Sequence, residues 1–223
     1  MTESQLYLSR VPLHALGRVS GDRAGRRPVD DPQRLHSEVM ALFGQLPGET
    51  VRADSHILFR VDPPSGYQAA TVLIRSAVEP RHSAEGLETR PEPAPPEAGT
   101  HVAFRVSVNA VRRRTLPTEP GTDARRRVSL TPVPRDDDPN ATGSTMTDWL
   151  SERFRGALSD CEILNHDRTV TGKQTTRIVQ VDLIDGFGRV EDPARLSELL
   201  RHGVGRAKSY GCGLLTLRPI PQA

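Results

Sequence analysis

The stretch TTRIVQVDLIDGFGRVEDPARLSELLRHGVGRAKSYGCGLLTLRPI, residues 175–220, contains the pattern that decides the fold. Its first part, residues 175–190, alternates apolar and polar side chains and predicts a long strand. Asp192 followed by Pro193 is typical of a helix N-cap with proline in the first turn, and Gly203 is typical of a helix end. GLLTLRPI, residues 213–220, predicts a final strand, so the pattern predicts strand, helix and strand in that order.

The amino-terminal part of the chain repeats the same kinds of element. Residues 5–13 alternate like a half-buried strand, and Asp31 with Pro32 repeats the cap-and-proline signature. Residues 56–62 and 67–80 predict two strands joined by a turn rich in proline, serine and glycine. Between cap and strands, apolar residues at helical spacing predict a buried helix face, formed by Leu35, Val39, Leu42 and Leu46 with Met40 and Phe43 beside them.

The segment ETRPEPAPPEAG, residues 88–99, is rich in proline and acidic residues and reads as a linker without a core element. It divides the chain into a predicted amino-terminal domain (1–90), a linker (91–99) and a carboxy-terminal domain (100–223).

Two arginine runs lie in the second of these domains. Residues 101–115 alternate and end in the first run, and residues 125–133 begin with the second, so the economical prediction is a hairpin with two basic arms. Guanidinium groups suit phosphates because they can donate two parallel hydrogen bonds, but such runs are also common in solvated loops. Composition alone leaves nucleic-acid binding open for these six residues, which are Arg112, Arg113, Arg114, Arg125, Arg126 and Arg127.

A further amphipathic helix is predicted from the apolar residues Trp149, Leu150, Phe154, Ala157 and Leu158. In chain order the elements therefore predict an α+β protein made of two tandem ferredoxin-like (RRM-like) domains with antiparallel sheets. The same fold serves many functions, so the function must come from particular residues.

The composition excludes several classes of protein. The net charge of the 223 residues is only +2, and no apolar run approaches the roughly 18 residues that a membrane span needs. The first residues lack the basic head and apolar centre of a signal peptide, so we expect a cytoplasmic protein with no membrane partner. Cys161 and Cys212 are far apart and predict two reduced thiols.

Neither a metal nor another cofactor is expected. Asp136, Asp137 and Asp138 lie between two prolines, where adjacent side chains diverge, so a solvated acidic turn is favoured over a magnesium site.

The glycine-rich segment GVGRAKSYGCG, residues 203–213, is the densest signal in the chain. It does not match a P-loop, which needs Gly-Lys-Ser or Gly-Lys-Thr after a strand, nor a dinucleotide fingerprint, which needs glycine where Lys208 stands. Two interpretations stay open: close approach of a nucleic-acid backbone to glycine beside cations, or a helix end and turn whose glycines are conformational.

Four motifs together resemble the CasE family, the repeat-processing ribonucleases of type I-E CRISPR systems. They are LYLSRVPL (6–13), RLHSEVMALF (34–43), TGKQTTRIVQVDL (171–183) and GVGRAKSYGCGLLTLRP (203–219). The resemblance covers essentially the whole chain. It implies an endoribonuclease that needs no metal, binds the stem-loop of the CRISPR repeat, cleaves at the base of the stem, and remains bound as a subunit of Cascade, being a monomer outside that complex.

The resemblance also implies roles for particular residues. The family's catalytic histidine corresponds to His36. Histidine suits proton transfer because the pKa of an unperturbed imidazole, about 6.5, is close to working pH. The implied reaction is attack by the RNA's own 2′-hydroxyl, which leaves a 2′,3′-cyclic phosphate and a 5′-hydroxyl. The expected RNA-binding residues outside the arginine runs are Arg34, Lys173, Gly203, Gly205, Arg206, Lys208, Gly211 and Gly213.

One position departs from the family pattern. Relatives often have tyrosine three residues before the catalytic histidine, and here that residue is Gln33, whose amide cannot exchange a proton as a phenol does. A non-catalytic subunit that only binds and protects RNA is therefore the alternative function. A structural ferredoxin-like protein with incidental arginine runs is a third and weaker one.

Overall fold

The computed structural model describes residues 5–16, 30–48, 50–115, 128–173, 175 and 177–221. Its helices are α1 (Leu13–Leu16), α2 (Pro32–Ala41), α3 (Val51–Asp54), α4 (Met146–Phe154) and α5 (Pro193–His202). Its strands are β1 (Tyr7–Pro12), β2 (Leu58–Asp62), β3 (Thr71–Ser76), β4 (Glu88–Pro91), β5 (His101–Val108), β6 (Val111–Thr115), β7 (Val128–Pro132), β8 (Leu158–Thr171), β9 (Val179–Val190) and β10 (Leu215–Pro219).

The first four strands form one antiparallel sheet in the order β2-β3-β1-β4. Helix α2 begins at the predicted cap, where the Asp31 carboxylate accepts hydrogen bonds from the backbone N–H groups of Gln33 and Arg34. Its apolar face lies in the core with Val11, Phe59 and Ile74 of the sheet. The predicted strand, helix and paired strands are present, but α2 ends at Ala41, so Leu42 and Leu46 of the predicted helix face lie beyond its end.

The acidic, proline-rich segment contains an element that the sequence analysis did not predict. Residues 88–91 form β4, which pairs with β1 from Tyr7↔Pro91 to Arg10↔Glu88. All four side chains are exposed, because an edge strand can be held by backbone pairing alone and tolerates proline at its end. The interpretation of residues 88–91 as part of a linker was wrong, whereas the division of the chain at 91–99 stays a prediction.

The second four-stranded sheet has the order β10-β5-β9-β8 and is also antiparallel. Helices α4 and α5 pack on it around a core that includes Phe104, Leu150 and Leu196. Helix α5 begins where predicted, with the Asp192 carboxylate accepting hydrogen bonds from two backbone N–H groups, and it ends at Gly203. The predicted helix and final strand are therefore confirmed.

The predicted helix over Trp149 to Leu158 is too long. Helix α4 ends at Phe154, and Gly156 turns the chain with a positive φ of 79°, so that Leu158 becomes the first residue of β8. This 14-residue strand was missed because its many exposed polar residues hide the alternation, and its pairing with β9 is shifted in register at two places.

The predicted strand over residues 101–115 is two strands. Strand β5 ends at Val108 and belongs to the second sheet, whereas β6 begins at Val111 and pairs with β7 in a separate two-stranded sheet. We call β6 and β7 the basic hairpin. It carries Arg112, Arg113 and Arg114, and the predicted second basic arm, Arg125 to Arg127, lies outside the described residues.

Two buried arginines connect the sheets. Arg60 of β2 pairs with Asp62 and donates from Nη1 to the carbonyl of Arg105 (2.9 Å) and the hydroxyl of Thr216 (3.0 Å) in the second sheet. Because these contacts satisfy a charge that burial would otherwise make costly, they fix the first sheet against the second.

Arg75 of β3 makes the second connection. Its side chain is 0% exposed, its Nε donates to Glu92 (2.6 Å), and its Nη1 donates to the carbonyl of Leu200 near the end of α5 (3.2 Å). The end of α5, from which the glycine-rich segment leaves, is thus tied to the first sheet. Among the described residues no helix is long and apolar enough to cross a membrane.

Candidate functional site

His36 lies on α2 with its ring partly buried. Its Nδ1 is buried and has no hydrogen-bond partner among the residues that the structure describes. Burial lowers the pKa of His36, and the positive charge of Arg52 lowers it further. At neutral pH the imidazole is therefore uncharged and able to accept a proton.

The glycine-rich segment passes beside this helix. Residues Lys208–Tyr210 form a 3₁₀ turn that contacts both α2 and the edge strand β2. A Cβ added at Gly203 would lie 2.8 Å from Leu58, and one added at Gly211 would lie 3.3 Å from Phe59. These glycines have positive φ values of 74° and 84°, so the close packing of this segment on β2 explains their identity.

A cleft of about 800 Å³ runs along the same surface. Pro32 and Leu35 of α2 line it together with Tyr210 and Gly211 of the glycine-rich segment. The helix that carries His36 and the glycine-rich segment thus both contribute to this cleft, but His36, Arg52 and Lys208 are not among its lining residues.

Lys208 and His36 share a neighbour. Burial lowers the pKa of the Lys208 ammonium, and Arg52 lowers it further, as at His36. The Lys208 Nζ donates to the carbonyl of His202 (2.6 Å), which holds the ammonium at the end of α5. The charge of Arg52 thus acts on both His36 and Lys208, each of which is partly buried.

Arg52 was missed by the sequence analysis. It lies on the short helix α3, its Nη1 donates to the carbonyl of Ile57 (2.9 Å), and burial lowers its pKa. A single arginine in a short polar stretch carries no local signal, because its nearness to His36 and Lys208 depends on how the two sheets pack.

The other residues predicted on α2 have different surroundings. The Gln33 side chain is exposed, and its backbone N–H donates to Asp31 at the helix cap. Arg34 forms an ion pair with the buried Glu38 one turn later, with Nε and Oε1 3.8 Å apart. This pair directs the Arg34 guanidinium along the helix.

The remaining predicted RNA contacts are spread over three segments. Arg206 and Lys173 are exposed, and Arg177 of the β8–β9 connection stacks on Tyr210 with 5.4 Å between the guanidinium carbon and the ring centroid. This stacking brings the connection that carries Lys173 to the 3₁₀ turn. On the basic hairpin Arg112 is partly buried and Arg113 is exposed.

The carboxylates of the acidic turn bond to nearby groups of the same region. Asp136 accepts hydrogen bonds from the backbone and hydroxyl of Thr147, and Asp137 pairs with Arg135. The part of the chain that the structure describes contains no group of three or more histidine, cysteine, aspartate or glutamate residues arranged to hold a metal ion. Asp136 and Asp137 thus bind different neighbouring groups.

Comparison with known proteins gives a family match and two similar proteins. The sequence model of the family described as CRISPR associated protein matches residues 6–219. The CRISPR-associated endoribonuclease Cse3 of Thermus thermophilus is 27% identical over 220 residues, which cover 88% of this chain and 94% of that protein. The CRISPR system Cascade subunit CasE of Escherichia coli is 25% identical over 195 residues, covering 85% and 93%.

Solved structures show the same fold. Thermus thermophilus Cse3 bound to an RNA representing a pre-cleavage complex superposes with a TM-score of 0.66 at 22% identity, over 96% of this chain and 100% of that one. The CRISPR-associated protein Cas6e from Escherichia coli superposes with a TM-score of 0.68 at 21% identity, with the same coverage. The predicted tandem ferredoxin-like fold is confirmed.

Proposed function

Because the chain belongs to the CRISPR-associated protein family, and its resemblance to CasE is confirmed, we propose that it is an endoribonuclease that processes CRISPR precursor RNA without a metal. It cuts within the repeat, at the base of the stem-loop. The observation that carries the proposal is the placement of His36 on a helix that contacts the Lys208 turn, with its buried Nδ1 unpartnered among the described residues.

The reaction uses the substrate's own nucleophile. His36, neutral at working pH, accepts the proton of the 2′-hydroxyl as that oxygen bonds to the adjacent phosphorus. The bond from phosphorus to the 5′-oxygen breaks, and that oxygen leaves as a 5′-hydroxyl after it takes up a proton. Lys208 and Arg52 stabilise the negative charge that grows on the phosphate, which counts for more in a partly desolvated site.

Gln33 keeps the alternative function relevant. Its exposed amide is able to orient a phosphate or hydroxyl but not to transfer a proton. If no other group supplies the second proton transfer, the protein is instead a subunit that binds and protects RNA made elsewhere.

RNA binding would be spread over the glycine-rich segment, the β8–β9 connection and the basic hairpin. A-form RNA has a deep and narrow major groove, so recognition of the stem relies mainly on phosphates and shape. We also propose that the protein stays on its product in Cascade, because the similar Escherichia coli CasE is named a Cascade subunit. We further propose that it is a cytoplasmic monomer outside that complex and that its two domains divide at residues 91–99.

Cleavage is expected to continue when divalent metals are chelated, because an imidazole and the substrate hydroxyl supply the acid-base chemistry. The measurement is cleavage of the repeat stem-loop with and without EDTA, followed by mapping of the product ends. A 2′,3′-cyclic phosphate and a 5′-hydroxyl are expected. Loss of cleavage in EDTA that magnesium restores, or a 5′-phosphate product, would contradict the mechanism.

Replacing Arg52 by glutamine is expected to shift the acidic limb of the pH–rate profile to higher pH. A nearby positive charge disfavours the imidazolium, so its removal raises the pKa of His36 towards the ordinary value. Since cleavage needs the neutral ring, the rate of wild type rises with pH through a pKa below 6.5 and then levels off. The measurement is single-turnover cleavage from pH 5 to pH 8.

The matched control is Arg153→Gln, because Arg153 stacks on Trp149 of α4 and does not influence His36. Its acidic limb should coincide with that of wild type. An Arg52→Gln profile that also coincides with wild type would show that Arg52 does not act on His36.

A further inference from the structure

A fully buried carboxylate lies on β9, away from His36. Asp182 is 0% exposed and accepts hydrogen bonds from Arg168 Nε (2.6 Å), Gln180 Nε2 (2.8 Å) and the backbone N–H of Ala110 (3.3 Å), and its Oδ1 lies 2.8 Å from His166 Nε2. Burial alone would raise the pKa of Asp182, but the bonds from His166, Arg168 and Gln180 lower it. The group is therefore an ionised carboxylate with four partners.

Three hydrogen bonds connect this network to the base of the basic hairpin. Ala110 directly precedes β6, and its N–H is one of the donors to Asp182. Val133 directly follows β7, and its carbonyl accepts from Arg168 Nη2 (2.7 Å). Asn109 Nδ2 donates to the carbonyl of Gln180 (2.8 Å). Both ends of the hairpin are thus fixed to strands β8 and β9.

The hairpin needs such an attachment. It is a two-stranded sheet separate from the four-stranded one, and an isolated pair of strands is marginally stable in water. Apolar contacts are non-directional, whereas hydrogen bonds to a planar carboxylate and a guanidinium set an angle as well as a distance. A buried charge is costly, so its presence here suits a role in orientation rather than in stability alone.

We propose that Asp182, acting with Arg168, is a positioning residue for RNA recognition. It fixes the angle at which the basic hairpin leaves the second sheet, so that Arg112 and Arg113 meet the phosphates of the RNA stem in a preset geometry. This inference rests on the proposed function, specifically on contact between the hairpin and the RNA.

The test compares Asp182→Asn with Asp185→Asn. Asp185 is on the same strand and pairs with Arg105 of β5, and it makes no hydrogen bond or ion pair with the described residues of the hairpin. The affinity is measured with a repeat stem-loop that has a 2′-deoxy nucleotide at the cleavage position, so that binding is read without cleavage. Asp182→Asn is expected to weaken the affinity about tenfold, and Asp185→Asn less than about twofold.

A cleavage assay separates positioning from a general structural role. With cleavable RNA, Asp182→Asn is expected to raise the concentration for half-maximal cleavage about tenfold, while the maximal single-turnover rate changes by less than about twofold. An equal loss of affinity in Asp185→Asn, or a loss confined to the maximal rate, would overturn the proposal.

A double-mutant cycle shows whether the effect passes through the hairpin. In the background Arg112→Ala/Arg113→Ala, the hairpin has lost these guanidiniums, so adding Asp182→Asn should weaken binding by less than about twofold. A full tenfold effect in that background would mean that Asp182 acts elsewhere. Normal affinity of the Arg112→Ala/Arg113→Ala protein would also overturn the proposal.

Two further variants keep the test decisive if Asp182→Asn does not fold. Arg168→Lys keeps a cation near Asp182 but lacks the rigid planar fork whose Nε and Nη2 bond Asp182 and Val133 at a fixed angle, and Asn109→Ala removes one bond only. Unchanged affinity in both would overturn the positioning role. Wild-type protein that binds the stem-loop without cutting it would contradict the proposed nuclease and leave this role standing.

Discussion

Replacing His36 by alanine is expected to reduce cleavage of repeat RNA by about 10²–10⁴-fold, the range typical of a lost general acid or base. Affinity for the stem-loop should change by less than about threefold, because phosphate contacts and shape supply most of the binding. The reason is structural. The ring is influenced by the charge of Arg52, is uncharged at neutral pH, lies on the helix that contacts the Lys208 turn, and leaves its buried Nδ1 without a partner in the described part of the chain.

The matched control is His101→Ala, which removes an exposed imidazole at the start of β5 in the other sheet. It should cleave like wild type. Both variants are assayed under single-turnover conditions with saturating RNA and with chelated metal. Cleavage by His36→Ala within tenfold of wild type would remove His36 from the mechanism, and absence of cleavage by wild type would favour the RNA-binding subunit.

Replacing Glu92 by glutamine is expected to lower the free energy of unfolding by about 3 kcal/mol, because the Arg75 guanidinium would remain buried without a counter-charge. Arg75 also holds the carbonyl of Leu200, so the loss weakens the connection between the sheets. The measurement is urea denaturation followed by circular dichroism at neutral pH.

The control for this variant is Glu198→Gln, because Glu198 forms an exposed pair with Arg195 on α5. Its unfolding midpoint should match that of wild type, since exposed pairs contribute little. A Glu92→Gln protein as stable as wild type would mean that water or another group satisfies Arg75.

Local signals predicted the starts of α2 and α5, but not the four-residue helices α1 and α3. Asp31-Pro32 and Asp192-Pro193 begin these two helices because the cap bonds are made within three residues, so no distant contact is needed. The edge strand β4 and the long strand β8 were not predicted, because their partners rather than their own patterns hold them in the sheets.

The residues of the candidate site also differ in whether local sequence signals could predict them. His36, Lys208 and the glycines were found through a resemblance carried by short motifs. Arg52, Arg75 and Asp182 were not found, because their importance comes from what they contact across the fold: the site region, the end of α5 and the base of the hairpin. A pairing between residues far apart in sequence leaves no trace in either local pattern.

The connection from Arg75 to the end of α5 has a consequence for how activity is gained and lost. The proposed base His36 and the cation Arg52 are on one half of the molecule and Lys208 is on the other, so in the proposed mechanism neither half alone has the complete site. A polypeptide synthesised only as far as α5 would have the imidazole but not the Lys208 ammonium. Separation of the two halves on heating would abolish the proposed cleavage before either half unfolds. RNA cleavage would therefore be lost at a lower temperature than secondary structure.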